Sequence, residues 1–262
     1  MKYQGMTALI TGASMGLGEA FARELAKRGV DLVVVARSED KLNSLAKTLR
    51  KDANIEVTAL PADLSSAEAL ARLIAEIQSR NLHIDLLINN AGLGVFDDFL
   101  DTPLTKQLEQ VDVNMRALVA LTGAFVPGMV AAQRGGVINL ASTAAFQPLA
   151  GATLYSASKA FVLFFSEALA LELEKTGVNV TAACPGPVAT HFFAHMNPKL
   201  EAKQMDQPGP VVSEILRGFE RGKIVVYPGK LTNRLGTWGA RLLPRNMILR
   251  LAVATTKKLN QN

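Results

Sequence analysis

The sequence predicts one α/β domain, a parallel sheet of about seven strands with helices on both faces. Short apolar, β-branched runs alternate with amphipathic stretches of helical period from the N-terminus to about residue 184. The runs are nearly free of charge, as strands buried on both faces require. Each connection is long enough for the crossover helix that parallel neighbours need. With 49% hydrophobic and 19% charged residues over 262 positions, the chain suits an ordinary packed core and excludes a disordered or collagen-like polymer.

The strands are expected at 6–11 (MTALIT), 31–36 (DLVVVA), 55–60, 84–89, 136–141 (GVINLA) and 178–184 (VNVTAAC). Helical patterns fill 16–28, 39–51, 66–80, 105–132 and 154–176. Asp63, Ser65 or Ser66 can cap the third helix, with Glu68 in its first turn. Pro185-Gly186-Pro187 ends the sixth strand. The mixed stretch 190–209, with Pro198, Pro208 and Gly209, reads as an excursion over the substrate side and not as a linker. A helix at 210–221 and a short strand at 224–227 close the sheet, and 230–262 forms a basic, apolar helical tail broken at Pro244.

Charge and cysteine content narrow the function classes. Ten of the 28 Lys/Arg but only two of the 23 Asp/Glu lie in 213–262, so the net charge of +5 belongs to the C-terminal end. The main body is slightly acidic, which argues against nucleic acid as a partner. No uninterrupted apolar run reaches the eighteen or so residues of a membrane span, and the N-terminus lacks the build of a signal peptide. The single cysteine, Cys184, forms no intrachain disulfide or zinc cage. The expectation is a soluble, cytoplasmic protein.

The first strand runs into Thr11-Gly12-Ala13-Ser14-Met15-Gly16-Leu17-Gly18, and a helix follows at once. Glycines at 12, 16 and 18 let the backbone turn sharply and approach a pyrophosphate, which the helix N-terminus attracts through free N–H groups and its positive dipole end. Later in the chain come Ala62-Asp63-Leu64, Asn89-Asn90-Ala91-Gly92, Asn114, Ser142, Tyr155-x-x-x-Lys159 and Pro185-Gly186-Pro187. In this order and spacing the blocks resemble the short-chain dehydrogenase/reductase family over about residues 5–190. The resemblance implies a Rossmann-type doubly wound fold, a nicotinamide dinucleotide cofactor, and hydride transfer between a carbonyl and an alcohol.

The end of the second strand faces the adenosine ribose in such folds. It carries Ala36-Arg37-Ser38 and no acid, so Arg37 offers a planar fork to a 2′-phosphate. NADP is therefore expected ahead of NAD, although Met15 stands where many NADP-dependent relatives have a base. The resemblance implies that Asp63 accepts from the adenine amino group. Gly12, Ser14, Gly16, Leu17, Gly18, Arg37, Asp63, Asn90, Tyr155, Lys159, Val188 and Thr190 make up the expected cofactor-binding set.

Tyr155 and Lys159 are four apart on a helical face. A nearby ammonium is expected to lower the phenol from its ordinary value near 10 and fit it for proton transfer. Ser142, just past the fifth strand, is expected to hold the substrate oxygen beside Tyr155. The resemblance implies that Lys159 also holds the nicotinamide ribose and that Asn114 helps to position a water near the lysine. These four form the expected catalytic set. Three of them also have a bland reading: Ser142 as a turn residue, Tyr155 as half-buried core, Asn114 as a polar kink.

No metal site is expected. His83, His191 and His195 lack an HExxH or Cys/His partner set, and Cys184 reads as packing. Phe96, Phe146, Phe192, Phe193 and Met196 suggest an apolar substrate pocket, hence a bulky or aliphatic ketone or secondary alcohol. The tail residues Trp238, Leu242, Leu243, Met247, Ile248, Leu249, Leu251 and Val253 are interleaved with Arg234, Arg241, Arg245, Arg250, Lys257 and Lys258. They suit a lid, a subunit contact or peripheral contact with an anionic membrane. A homodimer or homotetramer is expected from the long helices at 105–132 and 154–176, which commonly pair between subunits in the family. The competing reading is a nucleotide-binding regulatory protein of the same fold without turnover. A dehydratase or epimerase is disfavoured because the chain has little room for a larger substrate domain.

Overall fold

Seven strands form one parallel sheet in the order β3-β2-β1-β4-β5-β6-β7. The structure, a computed structural model, describes residues 3–194, 205–242, 244 and 246–250. The strands are β1 Thr7–Thr11, β2 Asp31–Ala36, β3 Val57–Pro61, β4 Leu86–Asn89, β5 Gly135–Leu140, β6 Val178–Ala183 and β7 Val225–Val226. The helices are α1 Gly16–Ala26, α2 Glu39–Ala53, α3 Ala67–Ser79, α4 Leu104–Val111, α5 Ala117–Ala131, α6 Thr153–Glu172, α7 His191–Ala194, α8 Pro208–Glu220 and α9 Leu231–Leu242. The chain winds outward from β1 to β3, then returns to start again at β4. That reversal leaves a crevice above the carboxyl ends of β1 and β4, where ligands of such sheets bind.

The sheet is buried on both faces by design of its sequence. Phe21, Leu25, Ile215 and Phe219 of α1 and α8 cover one side, with α2 beside them. Leu70, Leu73, Ile77, Leu121, Phe125 and Met129 of α3 and α5 cover the other. Gly136 sits inside β5 because the Phe219 ring of α8 occupies the place of a side chain there. Each such fully buried aromatic contributes about 1.5–3 kcal/mol over leaving it in water.

A polar chain crosses this apolar interior. Thr122 of α5 and Asn139 of β5 both accept from Asn89 Nδ2 of β4, at 3.3 and 2.9 Å. Asn139 Nδ2 donates to Ser166 Oγ of α6 at 2.9 Å, and Ser166 donates back to Val162 O at 2.6 Å. Four elements are thereby tied through side chains that would be costly to bury unpaired.

Element boundaries depart from the sequence reading where local chemistry overrides period. The helix expected at 105–132 is α4, a π-helical turn at Asp112–Arg116, and α5, with Pro127 inside the last. Asn54, in the left-handed region at φ 51°, caps α2 two residues later than expected and delays β3 to Val57. Ser66, not Asp63 or Ser65, caps α3 by accepting from Ala69 N at 3.2 Å. The excursion begins with α7 and is pinned by a bridge between Val188 and Asp206. His195, Met196, Leu243, Arg245, Leu251, Val253, Lys257 and Lys258 lie outside the described residues, as do the side chains of Phe193, Trp238, Arg241 and Leu242. Residues 246–250 are helical, so Pro244 does separate two helical pieces.

Leu104–Ala131 and Thr153–Glu172 are long and apolar enough to cross a membrane by length and composition alone. Counting only uninterrupted apolar runs overlooks them. Both pack along the sheet, with Leu121, Phe125 and Val162 in the core.

Candidate active site

The glycine turn after β1 is shaped by what its missing side chains admit. Gly12 and Gly16 have φ of 65° and 62°, a region open to glycine at no steric cost. A Cβ on Gly12 would stand 2.9 Å from Asn90 Nδ2, and one on Gly18 would overlap the Gly12 carbonyl. A Cβ on Gly16 would press on the Thr190 methyl at 3.1 Å. The turn is held from the far side of the crevice. Asn90 Nδ2 donates to Thr11 O at 2.8 Å, while the Thr11 hydroxyl accepts from the backbone N–H of Asn90 and Ala91, each at 3.0 Å. Thr11 thus joins β1 to the strand across the crevice. It was missed in the sequence reading, where its only signal was its place before Gly12.

A cleft of about 590 Å³ opens beside this turn. Gly12, Ser14, Gly16, Leu17, Arg37, Asp63, Asn90, Val188 and Thr190 line it, and so do Ser142, Tyr155 and Lys159. Of the expected set, Gly18 lies beneath the turn instead of on the wall, and Asn114 lies behind Lys159. The cleft runs from the end of β2, at Arg37, to Ser142 and Lys159 beyond β5. Free N–H groups at the start of α1, no side chain at 12 or 16, and a basic group at the far end fit the charge pattern of a dinucleotide.

At that far end Arg37 is 63% exposed and 3.5 Å from Glu109 Oε1. Lys41, one helical turn on in α2, also lines the cleft and adds a second positive charge that the sequence reading overlooked. Asp63 Oδ1 accepts from Ser65 N at 3.0 Å and Ser65 Oγ at 2.8 Å. These bonds, with Arg37 nearby, hold its carboxyl below the usual range and keep it an acceptor.

Ser142, Tyr155 and Lys159 meet at the other end, all buried. Ser142 accepts from Ala144 N at 3.1 Å at the head of a 3₁₀ turn, and its hydroxyl acts to lower the Tyr155 phenol. The expected depression of that phenol is not found. Burial pushes Tyr155 up to about 12, with Ser142 opposing; Lys159 Nζ is 5.8 Å from the ring centroid and donates to Leu140 O at 2.6 Å. Burial brings Lys159 down to about 8, with Cys184 acting in the opposite sense.

Asn114 occupies the π-helical turn between α4 and α5. Its amide clamps Leu93: Oδ1 accepts from Leu93 N at 2.8 Å, and Nδ2 donates to Leu93 O at 2.9 Å. Nδ2 also donates to Ser158 Oγ at 3.0 Å, and Ser158 donates to Tyr155 O at 2.8 Å. The sequence reading missed Ser158, although it stands one residue before Lys159. A second cavity of about 10 Å³, near the size of one water, lies among Asn89, Asn114 and Lys159. Asn89 Oδ1 has no hydrogen-bond partner there.

Phe96 and Phe192 pack on Tyr155, with ring centroids 5.1 and 5.8 Å away. Phe146 lies apart from them, against Tyr227 at 5.7 Å. Among the described residues no group of His, Cys, Asp and Glu side chains is arranged to hold a metal.

The sequence profile of the short chain dehydrogenase family matches residues 6–201. A very-long-chain 3-oxoacyl-CoA reductase of Anas platyrhynchos is 31% identical over 97% of this chain and 81% of its own length. Its Bos taurus counterpart is 33% identical, and the match spans only 65% of that relative. Among solved structures, a short-chain dehydrogenase from Sphingobium yanoikuyae in complex with NADPH superposes with a TM-score of 0.81 at 34% identity, covering 90% of this chain and 93% of that one. A bulky-bulky ketone specific alcohol dehydrogenase from Comamonas testosteroni gives 0.77 at 32% identity, with 90% and 93% covered. With its glycine cradle and sheet order, the chain belongs to the short-chain dehydrogenase family of NAD(P)-dependent oxidoreductases acting on CH–OH groups.

Proposed function

We propose that the protein is an NADP(H)-dependent oxidoreductase that interconverts a bulky, apolar ketone or aldehyde and its alcohol, with Ser142, Tyr155, Lys159 and Asn114 as its working residues. The observation that carries this is one cleft lined at one end by Arg37 and Lys41 and at the other by Ser142, Tyr155 and Lys159. The glycine turn would hold the pyrophosphate, Arg37 and Lys41 the 2′-phosphate, and Asp63 the adenine amino group. Ser14, Leu17, Asn90, Val188 and Thr190 would complete the walls. When bound, the nicotinamide supplies or accepts the hydride.

The chain's own groups then handle the proton. Ser142 and Tyr155 bind the substrate oxygen, and Tyr155 donates its proton to that oxygen in reduction. A phenol pushed up to about 12 stays protonated at neutral pH, which suits an acid in the reducing direction. Lys159 stabilises the resulting phenolate and holds the cofactor ribose. Asn114 fixes the Leu93 backbone and Tyr155 through Ser158, and the water-sized cavity behind Lys159 would carry the replacement proton.

The aromatic rings on Tyr155 support an apolar substrate, as do two relatives whose names specify bulky ketones and very-long-chain acyl groups. A homodimer or homotetramer in the cytoplasm fits the exposed Leu104, Leu108 and Phe164 and the single cysteine. Peripheral membrane contact through the tail is a further part of the proposal. The test is nicotinamide absorbance over a carbonyl and alcohol panel. Tyr155→Phe should bind NADPH normally and turn over about 10²–10⁴-fold more slowly, the usual worth of a proton-transfer group. Tighter binding of NADH, or undiminished turnover, would sink the assignment.

A further inference from the structure

Tyr155 must touch a substrate carbonyl, yet it is only 5% exposed. Ala144, Leu149, Ala152 and two phenylalanine rings pack against it, and it meets the cleft along one edge. Phe96, from the loop after β4, lies 5.1 Å from the Tyr155 ring, and Phe192 of α7 lies 5.8 Å from it. The two phenylalanines meet each other edge-on at 6.4 Å and 88°. Both rings rest on Gly94. A Cβ there would overlap the Phe96 ring and come within 2.8 Å of Phe192 Cζ. The atoms in the way are ring tips on rotatable side chains, so a methyl group at 94 is accommodated by moving the rings and not the backbone. Gly94 is outside the positive-φ set, so its glycine serves this seat and no left-handed turn.

We infer that Phe96 and Phe192 form an aromatic gate over Tyr155, seated by the missing side chain of Gly94, and that substrates with an apolar body beside the carbonyl open it. This deepens, and rests on, the carbonyl–alcohol reading above. Opening breaks the ring–ring contacts among Phe96, Phe192 and Tyr155. A phenyl or alicyclic group beside the carbonyl restores them by packing on the displaced rings, whereas a small polar carbonyl cannot. A shut gate lowers apparent affinity by the fraction of molecules that are open. The gate thus selects by what the substrate offers in exchange.

Gly94→Ala and Phe96→Ala separate the two roles. Both should expose Tyr155 and raise its acetylation by N-acetylimidazole several-fold, read by peptide mass without any turnover. With NADPH and a phenyl ketone, Gly94→Ala should lower KM several-fold because the opening cost is gone. Phe96→Ala should raise KM about tenfold because the packing surface is gone. Circular dichroism confirms that each variant is folded. Tyr155 acetylated as readily in the wild type as in both variants would overturn the gate, as would KM moving in the same direction in both. If no carbonyl is reduced at all, the functional reading fails, while the labelling still decides whether the gate exists.

Discussion

Lys159 illustrates how burial sets a working range. Its ammonium is lowered to about 8 by desolvation, while the Tyr155 phenol beside it is raised to about 12. As pH rises through 8 the lysine loses its charge first and the phenol keeps its proton. Carbonyl reduction should therefore fall on the alkaline side of pH 8 for want of the cation. In Lys159→Arg the guanidinium stays charged, so the fall should vanish even though overall activity is lower. Profiles of kcat/KM between about pH 6 and 10 check this, and a limb unchanged by the substitution would show that Lys159 does not cause it. The residue pair was visible in the sequence from its spacing of four. The direction of the phenol's shift was not, because it comes from burial among distant segments, Phe96, Leu149 and Phe192 included.

At the scale of elements, the turn from β1 to α1 is assembled against Asn90 from across the crevice. Gly18→Ala should force the turn apart, because its new Cβ would overlap the Gly12 carbonyl. NADPH binding is expected to weaken by more than tenfold in a calorimetric titration, with the thermal midpoint falling as well. Near-normal affinity would mean that the turn is not the cradle. The strands and most helices were legible because apolar period survives in a chain buried on both sides. The π-helical turn at Asp112–Arg116 was not, since one extra residue in a turn leaves the apolar period of the flanking helices nearly intact. Its reason is visible only in three dimensions: it presents Asn114 to both Leu93 and Ser158. Arg37 could be located by its strand end, but its approach to Glu109, 72 positions away, could not.

For the whole molecule, apolar side chains on the surface suit the proposed self-association. Leu104 is 66% exposed on α4, and Phe164 and Leu171 are 69% and 66% exposed on α6. A self-associating protein would cover such positions. Sedimentation should give a dimer or tetramer, and Phe164→Glu should move it toward the monomer by burying an unpaired carboxylate in the contact. A wild-type monomer at micromolar concentration would refute the assembly. The polar chain from Thr122 through Asn89 and Asn139 to Ser166 has a different reach. A sheet made only of valine and leucine would tolerate small slips of one layer over another with little to tell the positions apart. Amides that find their mates in a single alignment remove that tolerance. Ser166 sits two helical turns along from Lys159, so the height of the Lys159 amine above the sheet is gauged from deep inside the core.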